Sequence, residues 1–297
     1  MKYTGITYRP PFEAASLLLQ VTESCSHNRC AFCTMYRDTP FRAESMDQIE
    51  KDLDEARVWR PRARRVFLEN GDPFALSADR LKEIATLIHE KLPEVQTIAM
   101  YASINNIRGK TDEELKELCE LGINDLNIGL ESGLDSALEL MCKGYDSAEA
   151  IEQLLRLKKA GIRFGVNIIF GMAGPALRRE HAVATAELLN KVQPNLVFTG
   201  TIHAEPGCPL YEWATTGTFI ENTLGEYFDE IETFVSHLKL EDCRYYGLHP
   251  SNIFCLDGRL GRDKDCLLAE IEMEKLEWGP EQMNRRLHHY AEGAVSY

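Results

Sequence analysis

Six short apolar runs, at residues 16–21, 65–69, 97–102, 125–130, 163–169 and 196–202, recur along the chain with amphipathic stretches of helical period between them. That alternation narrows the fold more than any other feature, because short apolar runs separated by helices are buried strands joined by crossovers. The helices have readable starts. Ser45 with Gln48, and Thr111 with Glu114, stand at capping-box spacing, and Asp146 with Glu149 introduces a third helix carrying Ile151, Leu154 and Leu155. Twice a helix runs into glycine and then directly into a strand, at Gly122-Ile123 and Gly161-Ile162. Glycine there supplies the positive φ that stops a helix. Six such units in series predict a parallel sheet, since parallel neighbours need a crossover and the crossover is right-handed. They can form a doubly wound sheet or most of a barrel, and the pattern alone leaves both open. Either way, chemistry is expected just after the strands' C-terminal ends.

The first such position holds three cysteines, Cys25, Cys30 and Cys33, in the spacing Cys-x4-Cys-x2-Cys. Soft thiolates this close together select zinc or an iron-sulfur cluster. His27 lies inside the loop, so a Cys3His zinc knot is one reading. Zinc ligands usually come as two pairs a dozen or more residues apart, and no second pair follows, which favours a metal with an open position.

Charge and cysteine usage exclude several classes. A net charge of -14 over 297 residues argues against sequence-independent binding to duplex nucleic acid, which depends on dense Lys and Arg. The one basic run, Arg60, Arg62, Arg64 and Arg65, reads as a phosphate patch or, more commonly, a solvated turn. Nine scattered cysteines do not make a disulfide framework and fit a reducing, cytoplasmic setting. No apolar stretch approaches the roughly 18 residues of a membrane span, and the first residues lack the apolar core of a signal peptide. With fewer than about 15 residues ahead of the first strand, no upstream cobalamin-binding domain of about 100 residues is expected.

The cysteine loop resembles that of the radical S-adenosylmethionine (SAM) superfamily, in the branch similar to oxygen-independent coproporphyrinogen oxidase and the tRNA methylthiotransferases. Phe32, just before the last cysteine, matches the family's aromatic residue, although the loop has one residue more than the usual Cys-x3-Cys-x2-Cys. Four later segments resemble the family in order. Asn70-Gly71-Asp72 stands where a glycine-rich turn holds the methionine amino group, with Asn-Gly in place of the double glycine. Gly129-Leu130-Glu131-Ser132, followed by Lys143-Gly144, matches the segment whose acid contacts SAM and whose basic residue answers its carboxylate. Asn167 and Ile168 lie on the strand that faces the ribose and adenine, and Pro206-Gly207-Cys208-Pro209-Leu210-Tyr211 matches the segment after the sixth strand. Ser103, after the third strand, is a further candidate contact, equally readable as a loop residue.

The resemblance implies an α/β fold, an open partial (β/α)6 barrel over residues 1–240, with a small C-terminal extension, residues 241–297, covering it. From about Glu241 the alternation fades; residues 249–252 are expected over the open side of the barrel and residues 260–290 as one or two helices. Cys243, Cys255 and Cys266 are too widely spaced for a second cluster and read as structural thiols. It further implies a 4Fe-4S cluster on Cys25, Cys30 and Cys33, SAM as co-substrate, a reductant such as flavodoxin or ferredoxin, and hydrogen abstraction from a small molecule or peptide. RNA modification, and a non-catalytic iron-sulfur or zinc protein, are the alternatives. His203 and Glu205, after the sixth strand, are the candidate acid or base.

Overall fold

The computed structural model describes residues Met1 to His288. Its strands are β1 (Leu17–Gln20), β2 (Thr22–Glu23), β3 (Arg42–Ala43), β4 (Arg65–Glu69), β5 (Thr97–Ala102), β6 (Ile123–Glu131), β7 (Arg163–Phe170), β8 (Leu196–Thr201), β9 (Cys243–Gly247) and β10 (Leu256–Leu260). Its helices are α1 (Met46–Trp59), α2 (Ala78–Lys91), α3 (Ile104–Arg108), α4 (Asp112–Glu120), α5 (Asp135–Leu140), α6 (Ser147–Ala160), α7 (Arg178–Val192), α8 (Pro209–Thr215), α9 (Leu224–His237), α10 (Lys264–Glu277) and α11 (Pro280–Met283). All six expected strands are present within a residue or two of their expected ends. The chain forms two compact units. The first holds Met1–Asn28, Met35–Gly129 and Glu152–Gly165; the second holds Arg29–Thr34, Leu130–Ile151 and the chain from Val166 onward.

In the first unit the strand order is β1-β4-β5-β6, then the start of β7. The pairs β1/β4, β4/β5 and β5/β6 are parallel, with β1 at the edge. Val66, Phe67 and Leu68 of β4 are fully buried, as are Ile49 and Leu53 of α1 and Leu81 and Ile84 of α2. The helix starts behave as their spacing predicts. The Ser45 side chain accepts from the Gln48 backbone N–H at 3.2 Å, and Thr111 and Glu114 form the full reciprocal box. Gln48 does not complete the box at α1, because its amide donates to Asp52 instead. Gly122 and Gly161 both take φ 83°, and the Ile162 N–H reaches back to the Leu157 carbonyl at 3.0 Å, closing α6 as a glycine stop.

In the second unit the order is the end of β6, then β7-β8-β9-β10. Two segments after Glu241 enter the sheet: β9 pairs parallel with β8, and β10 returns antiparallel to β9, at the edge. The sequence hid these strands because β9 alternates Cys243, Tyr245 and Gly247 inward with Arg244 outward, a pattern poor in aliphatic side chains. Residues 249–252 form the link between them and dock on β8: Ser251 Oγ accepts from the Thr201 N–H at 3.2 Å, and Asn252 Nδ2 donates to the Thr199 carbonyl at 2.8 Å. The helix expected over residues 260–290 is α10 followed by α11, and its last two residues lie outside the described chain.

Candidate functional site

At the C-terminal end of β4 the backbone turns through Asn70 at φ 76° and Gly71 at φ 98°. Gly71 takes that conformation freely, whereas Asn70 needs contacts to hold it there. Here the contacts are close: a Cβ on Gly71 would lie 1.9 Å from the Ser24 carbonyl oxygen, so this turn and the start of the cysteine loop run backbone against backbone. Asn70 is fixed by its Nδ2 donating to the Thr4 carbonyl at 2.7 Å, and its own carbonyl accepts from Thr22 Oγ1 at 2.8 Å. Asp72 is buried. Ser26 Oγ, one residue after Cys25, donates to Asp72 Oδ2, and Asn106 Nδ2 donates to the same oxygen at 3.4 Å. Burial pushes the Asp72 carboxyl up from its ordinary range, against the pull of those two donors.

Ser103 is the N-cap of α3: its Oγ accepts from the Asn106 N–H at 3.3 Å, and Asn106 Oδ1 accepts from the Ser103 N–H at 2.7 Å. Asn106, the other half of this capping box, is the residue that donates to Asp72. Lys110, just beyond α3, is buried and donates to the Phe74 and Leu76 carbonyls at 2.7 and 3.0 Å, bracing the turn that follows Asp72. Burial lowers its pKa to about 8. Lys110 escaped sequence reasoning because it follows a helix, α3, of five residues, too few for a periodic signal. Glu69, the last residue of β4, is fully buried, with neither carboxylate oxygen hydrogen-bonded, and burial pushes its pKa up to about 7 against the opposing charge of Arg9.

In the second unit, Ala31 ties the middle of the cysteine loop down on two sides. Its N–H donates to the Met141 carbonyl at 3.1 Å, and its carbonyl accepts from the Leu210 N–H at 3.0 Å. Cys30, Phe32 and Cys33 flank it in sequence. β6 ends at Glu131 with φ 67°, an uncommon backbone for a side chain of this size. Glu131 Oε1 stands 3.4 Å from Lys143 Nζ, and both residues are buried. The ammonium also lies 5.9 Å from the centre of the Phe32 ring and 5.8 Å from that of Tyr145, within cation-π range. Burial opposes the charge on Lys143, but Tyr145, Cys30 and Glu131 outweigh it and hold the ammonium well above an ordinary lysine.

Ser132 is fully buried, and its Oγ accepts from the Leu134 N–H at 2.9 Å, starting α5. Asn167 and Ile168 are consecutive on β7 and project to opposite faces; Asn167 is half-buried and Ile168 is buried. Glu205 Oε2 accepts from Thr34 Oγ1 at 2.5 Å, which brings it beside the end of the cysteine loop. His203 Nδ1 lies 3.0 Å from His288 Nε2.

All nine cysteines are thiols. Among the described residues no three His, Cys, Asp or Glu side chains already stand in a metal-holding group. The donor chemistry of residues 25–33 nonetheless fits an iron-sulfur cluster: three sulfurs, no carboxylate, and a buried cation whose charge Cys30 feels. The described chain has no helix long and apolar enough to cross a membrane.

A family model, the Radical SAM superfamily, matches residues 19–189. This chain is a Radical SAM protein. It is 24% identical over 202 residues to the heme chaperone HemW of Bacillus subtilis strain 168, covering 61% of this chain and 53% of that protein. It is 25% identical over 215 residues to the tRNA-2-methylthio-N(6)-dimethylallyladenosine synthase of Colwellia psychrerythraea strain 34H, covering 67% of this chain and 42% of that one. The chain thus spans about half the length of the curated relatives it matches. Methylornithine synthase (PylB) shares the fold, at a TM-score of 0.52 and 16% identity over 88% of this chain and 81% of that one. Radical SAM proteins normally hold a 4Fe-4S cluster and SAM, and the α/β architecture here is their open partial barrel.

Proposed function

We propose that this Radical SAM protein is an enzyme that cleaves SAM reductively and abstracts hydrogen from a small-molecule or peptide substrate. The observation that carries the reading is the buried Lys143–Glu131 pair set against Phe32, with Cys30 in its field. A metal knot that serves only to staple a fold has no use for a buried ammonium beside its ligands. Cys25, Cys30 and Cys33 are the residues to hold the cluster. When bound, it supplies the electron that splits SAM into methionine and a 5'-deoxyadenosyl radical.

The chain's own part is to bind and orient. Lys143 offers a point charge to the methionine carboxylate. Asn70, Gly71 and Asp72 offer a bare backbone and a carboxylate to the amino group, with Gly71 allowing the close approach. Glu131 and Asn167 have the acceptors for ribose hydroxyls, and Phe32 the face for adenine. Ile168 projects away from Asn167 and serves the packing beneath it. A reducing protein partner and a cytoplasmic setting follow from this chemistry.

The test is anaerobic reconstitution with iron and sulfide, followed by SAM and dithionite, with 5'-deoxyadenosine as the product measured. Cys30→Ala is expected to abolish cluster assembly while leaving the thermal melt largely unchanged; full iron content in that variant would refute the ligand assignment. The match to the heme chaperone HemW favours a second reading, a haem carrier without turnover. Haem titration separates the two: stoichiometric haem binding without 5'-deoxyadenosine would support the carrier. RNA modification is disfavoured by the net charge of -14.

A further inference from the structure

The helix α10 is apolar on two opposite sides. Leu267 and Ile271 are buried on the side that packs against α9 and β10. The outer side carries Cys266, Ala269, Met273 and Leu276, all exposed, Met273 by 60% and Leu276 by 86%. At about 100° of rotation per residue, these four fall in one strip directly opposite Leu267 and Ile271. Their spacing of three, four and three residues is that of the a and d positions of a coiled-coil seam. A single exposed apolar side chain needs no explanation, whereas a strip in seam register marks a contact surface.

The cations of this helix are turned inward. Lys264 Nζ donates to the Ser236 and Leu238 carbonyls at 2.6 and 2.7 Å. Lys275 Nζ pairs with Glu232 of α9 and, at 2.8 Å, with Glu272. What borders the strip is therefore acid on both sides, by the same rotation: Glu270, Glu274 and Glu277 along one edge, Asp265 and Glu272 along the other. Of these five, Glu272 alone has an ion pair among the described residues.

We infer that the outer face of α10 docks an amphipathic helix of a partner protein, one with apolar side chains in the same seam spacing and Lys or Arg beside them. Charge chooses among the occupants. A second copy of this chain would set five carboxylates against five along a strip about 15 Å long, and like charges across a seam oppose pairing. Residues 289–297 hold one Glu and no Lys or Arg, so the chain's own C-terminal segment lacks the complement. A basic helix is favoured twice, by the acids beside the seam and by the net charge of -14, which draws a cationic partner from a distance. The strip is short and its apolar gain comes from Met273 and Leu276, which suits a partner that comes and goes.

The test needs neither cluster nor SAM. The full chain is titrated with two synthetic helical peptides that share one Leu seam, one with Lys and one with Glu at the flanking positions, and the anisotropy of a dye on the peptide reads binding. The Lys peptide is expected to bind, more weakly as salt rises, and the Glu peptide to stay free. Met273→Ser with Leu276→Ser, at exposed positions that leave the inner face intact, is expected to weaken the Lys peptide by about tenfold or more, because two apolar side chains leave the seam. Glu270→Lys with Glu277→Lys is expected to move the preference towards the Glu peptide. Lys-peptide binding untouched by the seam variant would reveal general attraction to an acidic protein and overturn the docking face. So would a Lys peptide that never binds, or a dimer of the free chain that the seam variant abolishes, which would give the face to a second copy.

Discussion

At the scale of single residues, the least comfortable group in the first unit is Glu69, buried at the end of β4 with both oxygens unpartnered. Such a group is cheaper to keep neutral than charged. Its pKa is pushed up to about 7 from an ordinary 4.5, so the folded state holds the proton more tightly than the unfolded chain. As pH rises past about 4.5 the unfolded chain releases that proton first, and the folded state is penalised until its own group ionises near 7. Stability from this group is therefore fully present at low pH and lost on the way up. Urea midpoints between pH 5 and 8 are expected to fall with pH more steeply for the unaltered protein than for Glu69→Gln, with the variant the more stable above pH 7. Parallel curves would mean that Glu69 has found a partner in solution.

At the scale of elements, the turns after strands carry the site, and their strain is local. Glu131 at φ 67° and Cys142 at φ 57° bracket α5 and set Lys143 against the end of β6. The Lys143–Glu131 pair illustrates why sequence spacing predicted a relationship but not its energetics. Its spacing was legible because the two residues are 12 apart on one strand-helix turn; that both are buried was not. Lys143→Met is expected to cost about 3–5 kcal/mol in chemical denaturation, because it leaves a buried carboxylate alone. Adding Glu131→Gln should recover most of that loss while SAM binding stays absent in the double variant. Full SAM affinity in the single variant would remove Lys143 from the carboxylate-binding role. The capping residues belong to this scale too. Ser45, Thr111 and Asp146 were readable because a cap acts on the residues two or three ahead of it, whereas α3, with five residues, gave no period to read.

At the scale of the whole molecule, β9 and β10, both beyond Glu241, are part of the sheet in the second unit. Tyr245, Leu256, Leu260, Leu267 and Ile271 are all essentially buried. At about 1.5–3 kcal/mol for each fully buried apolar side chain, their removal is comparable to a domain's entire stability of about 5–15 kcal/mol. It would also expose β8 as an unpaired edge. A chain ending at Leu240 is therefore expected to be insoluble or to lose its cooperative melt, and a soluble, cooperatively melting product would show that the tail is dispensable. The sequence by itself determined the parallel α/β class, the strands β1, β4, β5, β6, β7 and β8, and the soft-donor loop, because each is written in neighbouring residues through period, capping and spacing. Tertiary structure alone decided that β9 and β10 extend the sheet, that Asn106 and Lys110 brace Asp72, and that His288 meets His203 from 85 residues away. Those contacts join segments with no local signature in common, and only burial and chain topology bring them together.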